Sequence, residues 1–205
     1  MQISNFSVRG EFLPAKRARQ ITPDSSEEFC CAVTKVDKGV KGGKLLGMTM
    51  CPEEGQLEVY GMTASLLESS TPDKPIVQVV SNINGEKEIF HIDISQIDPE
   101  HASRMEMFAL CSYADKCGTG TGSTFGSFHT FKMYEETAKQ NGILGKRDER
   151  LSAWEQFRNE KVNWIQSTEA VLNVLKAFDD PSVLDLFSKG KKLLYLYSKY
   201  AVVSL

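Results

Sequence analysis

The sequence predicts an α+β fold, in which a four-stranded antiparallel sheet is covered by helices and is followed by a C-terminal helical hairpin. Between residues 44 and 94, short runs rich in β-branched residues alternate with turn residues, which is typical of strands joined by hairpins. From residue 99 onwards, apolar residues instead recur every three or four positions, which is typical of amphipathic helices. The strand pattern does not return after residue 150, so the last helices are expected to pack on each other.

The chain begins with a segment that shows no apolar periodicity. Residues 1–23 are therefore expected to form an irregular arm. The next stretch, residues 24–39, is predicted to be a short helix, because capping residues precede it and Phe29 and Val33 share one helical face. Gly39 is expected to end this helix.

Four segments have the pattern of strands in an antiparallel meander. In the last of them, Phe90 and Ile92 alternate with His91 and Asp93, so that one face is apolar and the other is mixed. This alternation predicts a sheet that is covered on one side, with helices as the cover. Asn84-Gly85 precedes this strand and is a strong hairpin signal, because both residues accept positive φ. The strands are predicted over residues 44–50, 57–64, 75–81 and 87–94.

Two helices, over residues 99–116 and 125–141, are predicted to supply that cover. Asp98 is expected to cap the first helix, and Pro99 suits its first position, where the missing N–H group costs nothing. In the second helix, apolar residues recur at helical spacing until Gly142, which is expected to end it.

The C-terminal part is predicted to hold a long amphipathic helix and then a second helix, over residues 151–203. From Trp154 to Phe178, positions spaced alternately by three and four residues are apolar except at Lys161 and Thr168, and the sequence DDPS then breaks the pattern. The two helices are expected to form an antiparallel hairpin. The predicted organisation is an arm over 1–23, an α+β domain over 24–145 and a helical hairpin over 146–205 that either stands apart or packs on the same body.

Composition narrows the classes of function. A formal net charge of −3 and a pI near 5.7 argue against a nucleic-acid partner, because phosphates attract a basic face. The first residues lack the features of a secretory signal, and no apolar run reaches the roughly 18 residues of a membrane span. Five cysteines are an odd number in a chain too large to need disulfides. We therefore expect a cytoplasmic protein with reduced thiols and no transmembrane segment.

The stretch CGTGTGSTFG, residues 117–126, has the composition of a phosphate-binding loop but not its spacing. A Walker A loop needs a lysine before its Ser or Thr, and the dinucleotide pattern G-x-G-x-x-G fits from no glycine here. Both motifs also follow a strand, whereas this loop follows a predicted helix. As a connector, Gly118 is expected to end one helix with positive φ, and Ser123 or Thr124 to cap the next. Weak anion binding stays open for Gly118, Gly120, Gly122, Ser123 and Thr124, because a helix N-terminus presents N–H groups.

A nucleophilic site can be written from Cys117, His129 and Asp115. Cys117 lies beside the glycine loop and is the thiol expected to be most exposed, while a histidine is the usual base for such a thiol. The separation of Cys111 and Cys117 matches no zinc motif, so no metal and no cofactor is predicted. The alternative function is therefore a small enzyme, or an anion- or ligand-binding protein, that uses Cys117, the loop over 118–126 and His129.

The favoured function is non-enzymatic, because no catalytic set passes a test of spacing. An amphipathic hairpin at a chain end buries its apolar stripe either internally or against another chain, and aromatic residues are frequent anchors of protein interfaces. We expect a protein that works in protein–protein interaction or assembly, with a partner or a second copy bound to the hairpin. The candidate anchors are Trp154, Phe157, Trp164, Tyr195 and Tyr197.

The central segment resembles an uncharacterised family of Gram-positive, mostly clostridial, bacterial proteins. The resemblance rests on Asp98-Pro99, Ala102-Ser103, Glu106 to Leu110, Tyr113 to Asp115 and Thr124 to Gly126. With the YGMTAS and KPIVQV strands it extends over residues 57–142. The resemblance implies a bacterial origin and one unit of sheet and helices, and it implies no activity and no ligand.

Overall fold

The computed structural model describes residues 32–36, 43–52, 59–83, 86–141, 153–177 and 181–201. The strands are β1 (Val33–Val36), β2 (Leu45–Pro52), β3 (Val59–Leu66), β4 (Ile76–Ile83) and β5 (Glu86–Asp93). A 3-10 turn at Ile94–Gln96 follows β5. The helices are α1 (Arg104–Lys116), α2 (Thr124–Gln140), α3 (Ala153–Asn159), α4 (Trp164–Leu175) and α5 (Pro181–Ser198). None of the described helices is long and apolar enough to span a membrane.

The strands form one antiparallel sheet in the order β1-β5-β4-β3-β2. Strands β2 to β5 are the predicted meander, and Ile83 pairs with Glu86 across the predicted two-residue turn. The turn residues themselves lie outside the described part of the chain. The α+β class is thus confirmed, with five described strands where the sequence predicted four.

The additional strand, β1, lies within the segment that was predicted to be a helix. Over Val33–Val36 that helix prediction is wrong, and the remainder of residues 24–39 is described only at residue 32. Pairing with the edge of β5 gives this segment tertiary contacts, whereas a short isolated helix is only marginally stable, and the ion pair between Lys35 and Glu88 adds to the pairing. Two of the four strand residues are valines, which suit a pleated surface better than a helix.

One face of the sheet forms the core, and α1 packs on it. Each of the larger apolar side chains that this face buries contributes roughly 1.5 to 3 kcal/mol to stability, because it leaves water. The approach of α1 is close at Gly47, where an added Cβ would lie 2.9 Å from the Ser112 Oγ. A larger residue at this position would require the Ser112 side chain to move. The buried residues of this face are Val33, Met62, Ala64, Val77, Val79, Phe90 and Ile92.

Helix α1 begins at Arg104, so the predicted start at Pro99 is wrong. Ser103 caps it in a reciprocal arrangement, because the Ser103 Oγ accepts from the Glu106 N at 3.3 Å and the Glu106 Oε2 accepts from the Ser103 N at 2.5 Å. Asp98 caps only a turn, where its Oδ1 accepts from the Glu100 N at 2.9 Å. Residues 103–106 carry the Ser-x-x-Glu pattern of this cap, whereas the predicted start of the helix rested on the earlier Asp98-Pro99 pair.

Residues before α1 instead pair with residues from the C-terminal part. Ala102 and Val162 form an antiparallel bridge, with the Val162 N donating to the Ala102 O at 3.1 Å. The Trp164 Nε1 donates to the same oxygen at 2.7 Å. The Lys161 ammonium contacts the buried Glu106 carboxylate. These contacts hold the short link over residues 161–163 in a non-helical conformation, with Asn163 extended.

That link divides the long helix predicted after residue 151, so the prediction of one continuous helix is wrong. Helix α3 ends at Asn159 and α4 starts at Trp164, with the Asn163 side chain accepting from the Gln166 N at 2.9 Å. Phe157 and Trp164 lie on either side of the break, seven residues apart, and both are buried in the same core. The apolar spacing of a helix therefore continues across the break. Periodicity alone therefore did not reveal the interruption.

Helices α4 and α5 pack on each other and on α2, as in a hairpin that lies against a helical layer. Leu172 lies beside Gly190, and an added Cβ at Gly190 would come within 2.4 Å of the Phe131 Cζ. One hydrophobic cluster includes sheet residues such as Phe90 together with Trp164 and Leu193 from the C-terminal helices. The predicted hairpin thus shares its core with the rest of the described residues.

Candidate functional site

The glycine loop connects α1 to α2, as the connector interpretation predicts. Gly118 has φ of 69°, which confirms the expected left-handed residue after α1. Gly122 also has positive φ, at 85°. The N–H groups of Thr119 and Gly120 both donate to the Ala114 O, at 3.0 and 3.2 Å, and turn the chain back over the end of α1.

The loop holds an anion, and that anion is the carboxylate of Asp115 from the last turn of α1. Its Oδ1 accepts from the Gly122 N at 2.9 Å and from the Thr124 Oγ1 at 2.5 Å, and its Oδ2 accepts from the Thr124 N at 2.8 Å. A carboxylate satisfies the free N–H groups at the start of α2 and interacts favourably with the helix dipole. The side chain that caps α2 therefore comes from the preceding helix.

The predicted hydroxyl cap takes a different form. Ser123 occupies the position before α2, but its side chain makes no capping hydrogen bond, so the prediction is wrong for Ser123. The Thr124 hydroxyl accepts from the Thr121 N at 2.7 Å while it donates to Asp115. It therefore closes the loop on itself and does not cap the helix.

Of the five residues proposed as a weak anion site, Gly120, Gly122 and Thr124 lie against this internal carboxylate. At Gly120 an added Cβ would lie 2.4 Å from the Asp115 Oδ1 and 2.2 Å from the Thr124 Oγ1, so the loop has no spare room there. A phosphate at the Gly122 and Thr124 N–H groups would have to displace the carboxylate or lie beside it. Either arrangement is unfavourable, because like charges at short range repel.

The structure does not bring Cys117, Asp115 and His129 together as a catalytic triad. Among these three described residues no hydrogen bond joins one to another, and both Asp115 oxygens are turned to the loop. His129 lies on α2, where partial burial lowers its pKa, with Arg104 acting in the same direction. Glu136 opposes that shift.

Cys117 is exposed, and its polar neighbours are tyrosines. Burial raises the pKa of Tyr113 to about 12, and a hydrogen bond with Cys117 adds to the shift. The pKa of Tyr200 is raised by burial and then by Cys117. Phenols with raised pKa are protonated at neutral pH and cannot act as the base that a nucleophilic thiol needs.

Most of the predicted aromatic anchors lie in the core of the chain. Phe157, Trp164 and Tyr197 are at most 2% exposed, so they are not available to a partner, and their assignment as anchors is corrected. Trp154 is half-buried and stacks on Phe157 with 6.1 Å between ring centroids. Tyr195 differs, because it is 64% exposed.

A surface that the sequence interpretation missed lies on the outer side of α4 and α5. Leu184 is 69% exposed and shares this side with Tyr195. Beside them, an open groove of about 470 Å³ runs between the two helices. The groove is lined by Glu169, Leu172, Asn173, Lys176, Phe187, Lys191 and Leu194. We call the groove, with Leu184, Lys192 and Tyr195, the hairpin surface.

A sequence signal for this surface does exist. Leu184, Lys191 and Tyr195 are seven and eleven residues apart, which places them on one side of a helix. The apolar stripe on the opposite side of α5 is stronger, however, and includes the buried Leu193, Leu196 and Tyr197. In a pattern of periodicity the stronger stripe conceals the weaker one.

The described residues contain no group of three or more His, Cys, Asp or Glu side chains placed to hold a metal ion. Searches of known protein families, curated proteins and solved structures find no match to the chain. The resemblance to a clostridial family over residues 57–142 therefore stays a prediction.

Proposed function

We propose that this protein is non-enzymatic and acts through a protein–protein contact made by the hairpin surface. The observation that carries the proposal is the pairing of two exposed anchors with a groove. Leu184 and Tyr195 are 69% and 64% exposed, and both belong to α5, which forms one wall of the groove between α4 and α5. The bacterial origin and the cytoplasmic location expected from the sequence are part of the proposal.

The two anchors are more than scattered exposed residues. They are eleven residues apart, which is about three helical turns or roughly 16 Å along α5. Single exposed apolar residues are normal on any protein surface, whereas an apolar surface that continues into a concave groove is typical of binding sites. Tyrosine is also among the residues that contribute most to binding at interfaces.

The fold does not need these anchors for its own stability. Helix α5 already buries Leu193, Leu196 and Tyr197 against the core, and Gly190 allows it to approach α2 closely. Residues on the outer side of α5 can therefore serve the binding of a partner without a loss of core packing. The glycine loop does not support the alternative enzyme hypothesis, because Asp115 occupies it and the groups shown to interact with Cys117 are the phenols of Tyr113 and Tyr200.

Affinity purification from the native host tests the proposal. The tagged full chain is compared with the double variant L184D/Y195D and with the control L45D/M48D, which changes two apolar residues on β2 that are 54% and 71% exposed. We expect a partner, or a second copy detected by light scattering, with the wild-type chain and the control, and at least a tenfold loss with L184D/Y195D.

Circular dichroism establishes that all three proteins are folded. A monomer that recovers no partner would contradict the proposal. Equal recovery by L184D/Y195D and the wild-type chain would also contradict it, because the interface would then lie elsewhere.

A further inference from the structure

We infer that the hairpin surface binds an acidic amphipathic helix, which lies in the groove between α4 and α5 with its apolar side down. This inference rests on the proposed function and names the chemistry of the partner. It follows from the spacing of the residues that line the groove, from the character of its floor and rim, and from the local balance of charge.

The groove has the shape that a helix fits. In α4 and at its C-terminal end, the lining residues Leu172, Asn173 and Lys176 lie three, four and seven positions after Glu169. On α5, Lys191 and Leu194 lie four and seven positions after Phe187, so each set lies on one side of its helix. The groove therefore follows about two turns of each helix, or roughly 10 Å. Helix-in-groove recognition uses apolar residues of the partner at the same spacing.

The floor and the rim of the groove differ in chemistry. The apolar floor consists of the buried Leu172 and the half-buried Phe187 and Leu194. The rim carries Lys176 and Lys191. The Lys191 ammonium lies 4.8 Å from the centroid of the Phe187 ring, so a carboxylate bound to this lysine would lie directly above the floor.

The charged side chains described on this side of the molecule are mostly lysines. Two lysines and one glutamate line the groove, and two further lysines lie close to Tyr195, whereas Asp185 and Lys189 form an ion pair of 2.7 Å. No described carboxylate pairs with any of the four. The chain as a whole has a net charge of −3. The lysines are Lys176, Lys191, Lys192 and Lys199, and the glutamate is Glu169.

This local charge favours an acidic protein segment over other anions. A nucleic acid presents a long row of phosphates, which the negative charge of the remaining surface repels, and no arginine lines the groove. An anionic membrane is flat and would not reach Leu172 at the floor of a groove. A helix with carboxylates beside an apolar stripe satisfies the lysines and fills the groove at once.

Peptide binding to the full chain tests the inference directly. The probe is a fluorescent synthetic peptide of about 18 residues, with a leucine stripe at positions i, i+4 and i+7 and glutamates on its other sides. One control peptide carries lysine at every glutamate position, and another has the same composition in an order that destroys the stripe. We expect the acidic striped peptide to bind at least tenfold more tightly than either control in fluorescence anisotropy.

Charge reversal of the rim then locates the peptide on the protein. K176E/K191E is expected to weaken binding of the acidic peptide about tenfold or more, and to strengthen binding of the basic one. K74E/K87E makes the same change of charge at two exposed lysines of the sheet region and is expected to alter binding less than twofold.

Several results would overturn the inference. These are equal binding of the scrambled or basic peptide, no effect of K176E/K191E, and tighter binding of duplex DNA or of anionic lipid vesicles that depends on Lys176 and Lys191. If the peptide result is negative and L184D/Y195D still loses its partner in the host, the inference fails while the proposed function stands. If recovery from the host ignores L184D/Y195D, the proposed function itself fails.

Discussion

The glycine loop and the hairpin surface differ in how far their binding groups are already satisfied within the chain. In the loop, the Gly122 and Thr124 N–H groups donate to Asp115 at 2.9 and 2.8 Å, so the groups that suggest a ligand are occupied. On the hairpin surface, Leu184 and Tyr195 stay largely exposed beside a lysine-rimmed groove. The glycine-rich composition of the loop suggests a binding site, but its N–H groups are already used within the chain. On the hairpin surface, by contrast, apolar side chains remain exposed to water.

This difference also applies within the C-terminal helices. Trp164 and Tyr195 were both predicted to be partner anchors, but Trp164 is 2% exposed and donates its Nε1 hydrogen to the Ala102 O, whereas Tyr195 is 64% exposed. The same residue class therefore serves the fold in one helix and is available for binding in the next. Three pairs of substitutions sharpen this comparison.

The largest effect is expected when the two aromatic residues are truncated separately. Trp164→Ala leaves a large cavity in the core and removes a buried hydrogen bond, so we expect a loss of about 3 to 5 kcal/mol in the free energy of unfolding. Tyr195→Ala is expected to cost less than about 0.5 kcal/mol, because its ring is mostly in water. Urea unfolding measures both. Similar losses for the two variants would contradict the assignment of Trp164 to the core and Tyr195 to the surface.

Removal of the internal anion is expected to have an intermediate effect. Asp115→Ala leaves the start of α2 without its carboxylate, and we expect a loss of about 1 to 2 kcal/mol in the free energy of unfolding. The vacated N–H groups should then bind an external anion. Sulfate, compared with chloride at equal ionic strength, should therefore raise the Tm of this variant more than that of the wild-type chain.

Asp98→Ala is the matched control, because Asp98 also accepts a backbone N–H group but caps only a turn. Its Tm should respond to sulfate in the same way as that of the wild-type chain. An equal response by all three proteins would show that the loop does not bind anions even when it is empty.

The smallest effect concerns the phenol beside Cys117. The pKa of Tyr113 is raised by burial to about 12 in the folded chain, above the unfolded value of about 10. The unfolded chain therefore loses this proton first, so the stability that the neutral phenol contributes is present below pH 10 and is lost as the pH rises towards 12.

Tyr113→Phe should make the decline in the free energy of unfolding between pH 10 and 12 less steep. The change in slope should correspond to the loss of at most one titrating proton. Urea unfolding at a series of pH values measures this slope. Tyr195→Phe is the control, since Tyr195 is exposed, and it should leave the slope unchanged. An unchanged slope in Tyr113→Phe would mean that the phenol is not held neutral by its surroundings.

The sequence predicted those features that depend on local pattern. The strands β2 to β5 were found from alternation and turn residues, and α2 from its apolar spacing, within two residues at each end. Gly118 was assigned its positive φ because a helix was expected to end there. Each of these features is specified by residues that are close together in the chain.

Most of the errors, in contrast, involve partners that are distant in the chain. Strand β1 forms because Val33 pairs with Ile92, and the residues before Ser103 stay outside α1 because Ala102 pairs with Val162. The break between α3 and α4 has the same origin. Local propensities differ by less than about 1 kcal/mol per residue, so a few tertiary hydrogen bonds and buried side chains are enough to reverse them.

The sequence by itself thus determined the α+β class, the order of the meander and its following helices, and the failure of the glycine loop to match a known phosphate motif. Only the tertiary structure decided that Asp115 fills that loop, that Trp164 belongs to the core, and that Leu184 and Tyr195 border a lysine-rimmed groove. Periodicity records which side of a helix is apolar. Whether that side meets the chain's own core or water depends on the packing of all the elements together.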